Sequence, residues 1–249
     1  MSKILLAGEQ VTAFGFEIKG FDVYTVSSNN EEGQALVKAL EGGGHEVDWM
    51  RTSDVPVEFP ESLAALASYD AVILSDLGSN SLLFHPDMLN KSERRPNRLK
   101  VLKEYVSGGD GLIMIGGWMS FAGIDGKAKY HSTDLEEALP VTCLPYDDRQ
   151  EKPDGVVPEI IDKNHPVLRN IPSEWPFFLG YNRVTTREGA SELMSVDSDP
   201  LLSVWDFGDG RSAAFTTDCG PHWGPTMWLE WAGYAIFWDN LIRWVSKSS

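Results

Sequence analysis

The sequence predicts a single α/β domain, residues 1–249, built on a mainly parallel β-sheet with helices on both faces. Three observations predict it. Short continuous apolar runs recur at residues 3–7, 71–74 and 111–115, the mark of strands covered on both sides. Segments of helical periodicity separate them. The resulting βαβα order calls for parallel pairing through crossovers. A chain of 249 residues can bury roughly 70% or more of its unfolded surface, so it needs neither disulfide nor metal to fold.

The elements follow in order. Residues 3–7 form the first predicted strand. Asn29 or Asn30 can cap the next helix, with Glu31 and Glu32 in its first turn. Its apolar side is Ala35, Leu36, Ala39 and Leu40, and Gly42-Gly43-Gly44 stops it. Residues 47–50 read as the second strand and 71–74 as the third. Pro96 can open a helix with Leu99, Leu102 and Val106 on one face and Gly108-Gly109 after its end. Residues 111–115 follow as a fourth strand, and all four should be parallel neighbours in one sheet. Thr133 with Glu136 fits a capping box, so a short helix should reach Leu139. Six prolines between 145 and 178 argue for loops wrapped over the sheet edge, with Trp175, Phe177, Phe178 and Leu179 buried. Residues 201–207 and 211–216 flank Gly208-Asp209-Gly210, a hairpin expected in the later half of the sheet or at its edge. The last helix spans 228–245, with Trp231, Tyr234, Ala235, Trp238, Leu241 and Ile242 on its apolar side. Core packing is the expected role of Trp231, Trp238 and Trp244, and turn or packing roles are expected of His45 and His165.

Composition narrows the partners. Lys plus Arg is 21 against 37 Asp plus Glu, a net charge of −16. Such a surface repels phosphate backbones and anionic lipid, so no nucleic acid and no membrane is expected as partner. A small molecule or another protein remains, and a homo-oligomer is compatible with either. Cys143 and Cys219 cannot build a disulfide framework. The apolar stretch Ile4-Leu5-Leu6-Ala7 is too short for a signal peptide and no run approaches a membrane span, so a cytoplasmic protein is expected.

Ligands of an open parallel sheet bind beyond the carboxyl ends of its strands. Four loops occupy such positions: Gly8-Glu9-Gln10; Ser75 to Asn80; Gly116-Gly117-Trp118-Met119-Ser120-Phe121; and Thr216 to Trp223. The third resembles a nucleophile elbow, where small residues permit a sharp strand-to-helix bend. It holds no cysteine. It is either a glycine turn that lets Trp118 pack or a site with Ser120 as nucleophile. In the fourth loop, Asp218 and His222 can form a polar pocket wall, or Cys219 and His222 a nucleophile–base pair. A metal site completed by Asp76 or His85 is a further reading, though the ligand spacing of a recognisable metal motif is lacking, and neither metal nor cofactor is expected. The bland reading is a hydrogen-bonded loop anchored by Pro221 and Trp223. Asp147-Asp148-Arg149 to Glu151 reads as a surface ion-pair loop.

Several of these segments occur together in a known family. They are Ser75 to Asn80, Gly116 to Ile124, Asp147-Asp148-Arg149, Trp175-Pro176 with Leu179-Gly180-Tyr181-Asn182, and Asp218-Cys219-Gly220-Pro221-His222-Trp223. The chain closely resembles the bacterial glutamine amidotransferase-like family of the class I glutamine amidotransferase-like superfamily, over nearly its whole length. It is distantly similar to trehalose-utilisation-type proteins around His165-Pro166 and from Gly210-Arg211 through the last helix. The resemblance implies a flavodoxin-like three-layer α/β sandwich. It also implies an elbow cysteine with a later His and Glu. Gly116 stands at the nucleophile position, and no histidine is in register near Thr216-Thr217-Asp218. Without a thiolate the thioester route from glutamine is closed.

Three functional readings follow. The first is a family member without glutaminase activity whose pocket takes a small polar metabolite through Glu9, Asp76, Asn80, Gly116, Gly117, Trp118, Asp218, His222 and Trp223. The second is a hydrolase or isomerase of a sugar-like substrate working through Asp218, His222 and Glu9, with or without a metal. The third is a non-catalytic interaction protein whose aromatic C-terminal helix presents a dimer surface. In the pocket, nearby carboxylates are expected to hold His222 in its charged form.

Overall fold

The computed structural model describes residues 1–248. Its centre is an eight-stranded sheet of β1 (Lys3–Gly8), β4 (Glu46–Met50), β5 (Ala71–Ser75), β6 (Gly111–Ile115), β9 (Glu159–Ile160), β12 (Ser191–Val196), β13 (Asp199–Phe207) and β14 (Gly210–Phe215). The strand order is β4-β1-β5-β6-β14-β13-β12-β9. The first five are parallel, and the rest add antiparallel to the β14 edge. The four expected parallel strands are neighbours, and the Gly208-Asp209-Gly210 hairpin lies in the later half of the same sheet.

Alternation along the strands explains the layers. Ile4, Leu6, Ile73, Ile113, Ile115 and Phe215 face one side. There they pack on α1 (Gln34–Gly42) and α8 (Tyr234–Val245). Leu5, Ala7, Val72, Leu74, Leu112 and Met114 face the other, against α2 (Val55–Glu58), α3 (Leu63–Leu66), α4 (Ser79–Leu83) and α6 (Arg98–Ser107). The outer helix α5 (Pro86–Lys91) follows α4. Each fully buried Leu, Ile or Phe contributes roughly 1.5–3 kcal/mol, so the two faces together hold the sandwich. This is the flavodoxin-like, three-layer α/β fold.

Several local expectations are corrected. Residues 10–31 are a long β-hairpin, β2 (Gln10–Lys19) paired antiparallel with β3 (Asp22–Glu31). Asn29 and Asn30 therefore lie in a strand, and α1 starts after Gly33 with no side-chain cap. Asn97, not Pro96, caps α6, its Oδ1 accepting from the amides of Leu99 and Lys100. Only half of the Thr133 box forms: Thr133 Oγ1 accepts from Glu136, but Glu136 turns its carboxylate to the amides of Ser132 and Cys143. The strand β7 (Val141–Cys143) pairs with β11 (Val184–Thr186), and β8 (Arg149–Val156) pairs with β10 (Phe178–Asn182). The segment 145–178 thus contains an antiparallel ribbon as well as loops.

The final helix is two, α7 (Thr226–Leu229) and α8, separated where Trp231 folds back onto Trp175 and Trp228. Tyr234, Phe237 and Trp238 of α8 are buried against Phe215 and Trp228, so the aromatic face of this helix is core. Trp231 and Trp244 are partly buried against the same core. His45 bridges the amide of Ser2 and the carboxylate of Asp239, and His165 caps the turn at Val167, both structural roles.

Candidate functional site

The chain leaves β1, builds β4 on one side, then crosses to build β5 on the other side of β1. That reversal between β1 and β5 is the switch point where open α/β sheets bind ligands. Glu9 follows β1 and Asp76 follows β5, so the two carboxyls flank the crevice. Asp218 and His222 reach it from the loop after β14, and Trp118 from the loop after β6. Together with Val11 and Glu32 they line a cavity of about 200 Å³.

Three of the lining residues are held in unusual backbone. Glu9, Asp76 and His222 have φ of 56°, 42° and 97°, a region that non-glycine residues seldom occupy. Residues held so cluster at sites where the geometry is used. Gly117, at φ 144°, passes so close that a Cβ there would sit 2.6 Å from Asp76 Oδ1. The turn after β6 is thus shaped around a carboxylate.

Each side chain is fixed by identifiable partners. Ser75 Oγ donates to Glu9 Oε1 at 2.5 Å, and Met119 N donates to Asp76 Oδ1 at 2.6 Å. Gly220 N donates to Asp218 Oδ1 at 3.0 Å, and Asp218 Oδ2 lies 3.7 Å from His222 Nδ1. The His222 ring stacks on Trp223 at 5.0 Å and meets the edge of Trp118 at 4.8 Å. Burial raises the carboxyl pKa values of Glu9, Asp218, Asp76 and Glu32, the first two well above the ordinary range, and repulsion from neighbouring carboxylates adds to it at Glu9, Asp218 and Glu32. His222 was expected to be charged. Instead burial outweighs the pull of Glu151, Asp76 and Glu32 and lowers its pKa.

The other predicted residues fall into place around this cavity or away from it. Gly116 and Gly117 form its floor support: Gly116 N donates to the carbonyls of Phe215 and Thr217, and Gly117 N to Asn182 Oδ1. Trp223 is buried behind His222. Ser120 is buried with its hydroxyl spent on the carbonyl of Ile115 at 2.6 Å, which leaves no nucleophile there. Cys219 is fully buried and its thiol pKa is pushed far up by burial and by Glu9 and Asp218, the opposite of an activated thiolate. Asn80 lies on α4 and shares a separate groove with His85, so neither joins the site.

Glu9, Asp218 and Cys219 offer donor atoms within 4.8 Å of one another, the one such group among the described residues. Two carboxylates and a thiolate would suit a borderline cation such as Zn²⁺. Any metal would first have to displace a thiol proton that burial holds firmly.

Sequence reasoning missed four residues. Glu32 was assigned to a helix turn and lines the cavity. Glu151 ties the aromatic wall together, accepting Trp118 Nε1 at 3.1 Å on one oxygen and Trp223 Nε1 at 3.0 Å on the other. Asp148 is fully buried, not a surface charge. It accepts from the amides of Ala122 and Gly123 and from Asn182 Nδ2, and burial pushes its pKa up to about 6. Asn182 thereby links the β6 turn to the 147–151 loop. A larger cavity, about 580 Å³, lies between residues 160 and 175, but its ionisable side chains, Lys163 and Arg169, are exposed.

The sheet order and the crevice at its switch point are those of a flavodoxin-like α/β protein. Residues 3–247 match the family described as "Putative glutamine amidotransferase" (GATase1_like), and the chain belongs to that family. It is 38% identical to the cytoplasmic protein STM3548 of Salmonella typhimurium, covering 98% of this chain and 99% of that one, with a TM-score of 0.94. Cytoplasmic protein STM1381 of Salmonella typhimurium LT2 is 39% identical over 98% and 99%, at 0.93. Both relatives are cytoplasmic by name, which agrees with the location expected above, and no helix among the described residues is long and apolar enough to cross a membrane. A ThuA-like protein of Parabacteroides merdae shares the fold at 14% identity, covering 100% of this chain and 91% of that one, with a TM-score of 0.58. No curated protein matches the chain.

Proposed function

We propose that this chain is a family member without glutaminase activity, and that it binds a small neutral polyol or amine in the cavity at the β1–β5 switch point. The observation that carries this reading is the lining itself: four carboxyls, an indole and an imidazole, with no Lys or Arg side chain. Carboxyls whose protons are retained can donate to hydroxyls, and ionised ones can accept from hydroxyls or ammonium groups. The partly exposed indole of Trp118, already carrying the Arg149 guanidinium 5.1 Å over its ring, suits a sugar ring. No Lys or Arg lines the cavity to hold a phosphate, and any lining carboxyl that ionises repels one. Glutamine hydrolysis lacks its nucleophile, because Cys143 and Cys219 are both buried with raised thiol pKa values.

One observation favours a second reading, acid–base catalysis on a sugar-like substrate. Glu9 and Asp218 are close, buried and mutually repelling, the arrangement in which one carboxyl keeps its proton while the other ionises. The test is calorimetric titration with panels of polyols, amines and phosphate esters, repeated on Asp218→Asn and Trp118→Ala. Binding of polyols or amines, weakened about tenfold or more by either change, supports the reading. Preference for phosphate esters, or binding untouched by both changes, sinks it.

A further inference from the structure

The β2–β3 hairpin departs from the body between Glu9 and Glu32 and packs on little but itself. Its strands alternate, so Phe14, Phe16 and Ile18 share one face with Ser27, Thr25 and Val23, their directly paired residues. Phe14, Phe16, Ile18 and Val23 are 80%, 75%, 71% and 62% exposed, and Phe21 stands fully exposed at the tip. A lone two-stranded ribbon is at best marginally stable in water. Three phenylalanines facing solvent make matters worse. An exposed apolar face of this kind marks an interaction site.

We infer that the partner is a second copy of this chain, its arm laid face to face against the first. Two observations select that occupant. The first is charge. In a chain of net charge −16, residues 10–31 carry only Glu17, Lys19, Asp22 and Glu31. Of these only Glu31 shares the apolar face, at its base, and it is held by Arg51 at 3.0 Å. The arm face is therefore a place where two acidic copies can meet without like charges being forced together. The second is area. With about 200 Å² for each phenylalanine, the exposed apolar side chains of the face and tip present on the order of 700 Å² per copy. Specific, stable interfaces bury about 600–1,000 Å² per partner, a range that includes this value. A single apolar patch that meets its own image gives a closed twofold dimer.

The proposal does not depend on what the cavity binds, and its test reads mass instead of ligand. Sedimentation equilibrium of the whole chain should show a dimer across the micromolar range. F14S/F16S should raise the dissociation constant at least about a hundredfold, since buried aromatic anchors dominate such interfaces. Far-UV circular dichroism and melting of the body should be retained. If that variant fails to fold, a chain with residues 12–29 replaced by a Gly-Gly turn serves in its place and should be monomeric. A monomeric wild-type chain overturns the proposal, as does a dimer that survives loss of the arm. A monomer that co-sediments with phosphatidylcholine vesicles through Phe14 and Phe16 would also overturn it and assign the arm to a membrane.

Discussion

Asp218 Oδ2 lies 3.7 Å from His222 Nδ1, yet the two groups are not driven to form an ion pair. Burial raises the pKa of the carboxyl and lowers that of the imidazole, so each is biased toward its neutral form. The polarity of the cavity is that of hydrogen-bonding groups more than of fixed charges.

Glutamine should not be turned over. The purified protein should release no ammonia from glutamine above background, and a glutamine-analogue electrophile should leave the 116–121 turn unlabelled. Glutamine turnover that persists in the Cys143→Ala, Cys219→Ala double variant would reveal a nucleophile not considered above.

Stability should fall as pH rises. Glu9 and Asp218 have folded-state pKa values well above their unfolded ones, and Asp148 is pushed up to about 6. The native state then holds protons that the unfolded chain has released. That stabilisation is full below about pH 4 and is lost as pH climbs through the folded values. Tm should therefore decline between about pH 5 and pH 8, and Glu9→Gln should flatten the slope and raise Tm at the alkaline end. His222 and His165, whose pKa values are lowered, work the other way below about pH 6.5, so the diagnostic is the difference from Glu9→Gln: a variant slope equal to that of the wild type would mean that Glu9 is ionised in the fold.

His222→Ala should weaken any ligand of the cavity about tenfold while changing stability by less than about 1 kcal/mol, since a half-exposed, pocket-facing ring contributes little packing. Urea unfolding beside ligand titration checks it. Global destabilisation of this variant would assign the ring to the scaffold.

Asn182→Ala should do the reverse. Asn182 is fully buried and serves Gly117 N and Asp148 at once, so its loss strands buried partners at a cost of about 1–3 kcal/mol. Urea midpoints should rank this variant well below His222→Ala, and equal midpoints would dissolve the distinction between support and site.

Glu151→Ala should release both indoles. Tryptophan emission should shift to the red and the cavity should lose affinity, with Glu151→Gln, which keeps one acceptor oxygen, falling between. An unchanged spectrum in Glu151→Ala would mean that stacking on His222 alone holds the wall.

The parallel half of the sheet was legible because strands such as Ala71–Ser75 are apolar on both faces and bounded by turns. The loops carrying Glu9, Asp76, Trp118, Asp218 and His222 were legible for the same reason, since a parallel sheet delivers its loops to one edge. The arm was not, because Asn29, Asn30, Glu31 and Glu32 imitate a helix start. The alternation of Phe14, Phe16 and Ile18 before Gly20 was the signal that could have revealed it. Asp148 and Glu151 looked solvated because charge clusters usually are. Their partners, Asn182 and the two tryptophans, lie far along the chain and come together only by folding.

The two ends of the arm meet where Glu32 N donates to Glu9 O at 3.0 Å. A segment whose ends nearly touch can be lengthened, shortened or exchanged as a cassette while the parent framework keeps its coordinates. Relatives with the same sandwich could thus differ in how many copies they assemble without altering Glu9 or Glu32, and an experimenter could graft a foreign ribbon at residues 10–31 to dictate assembly at will.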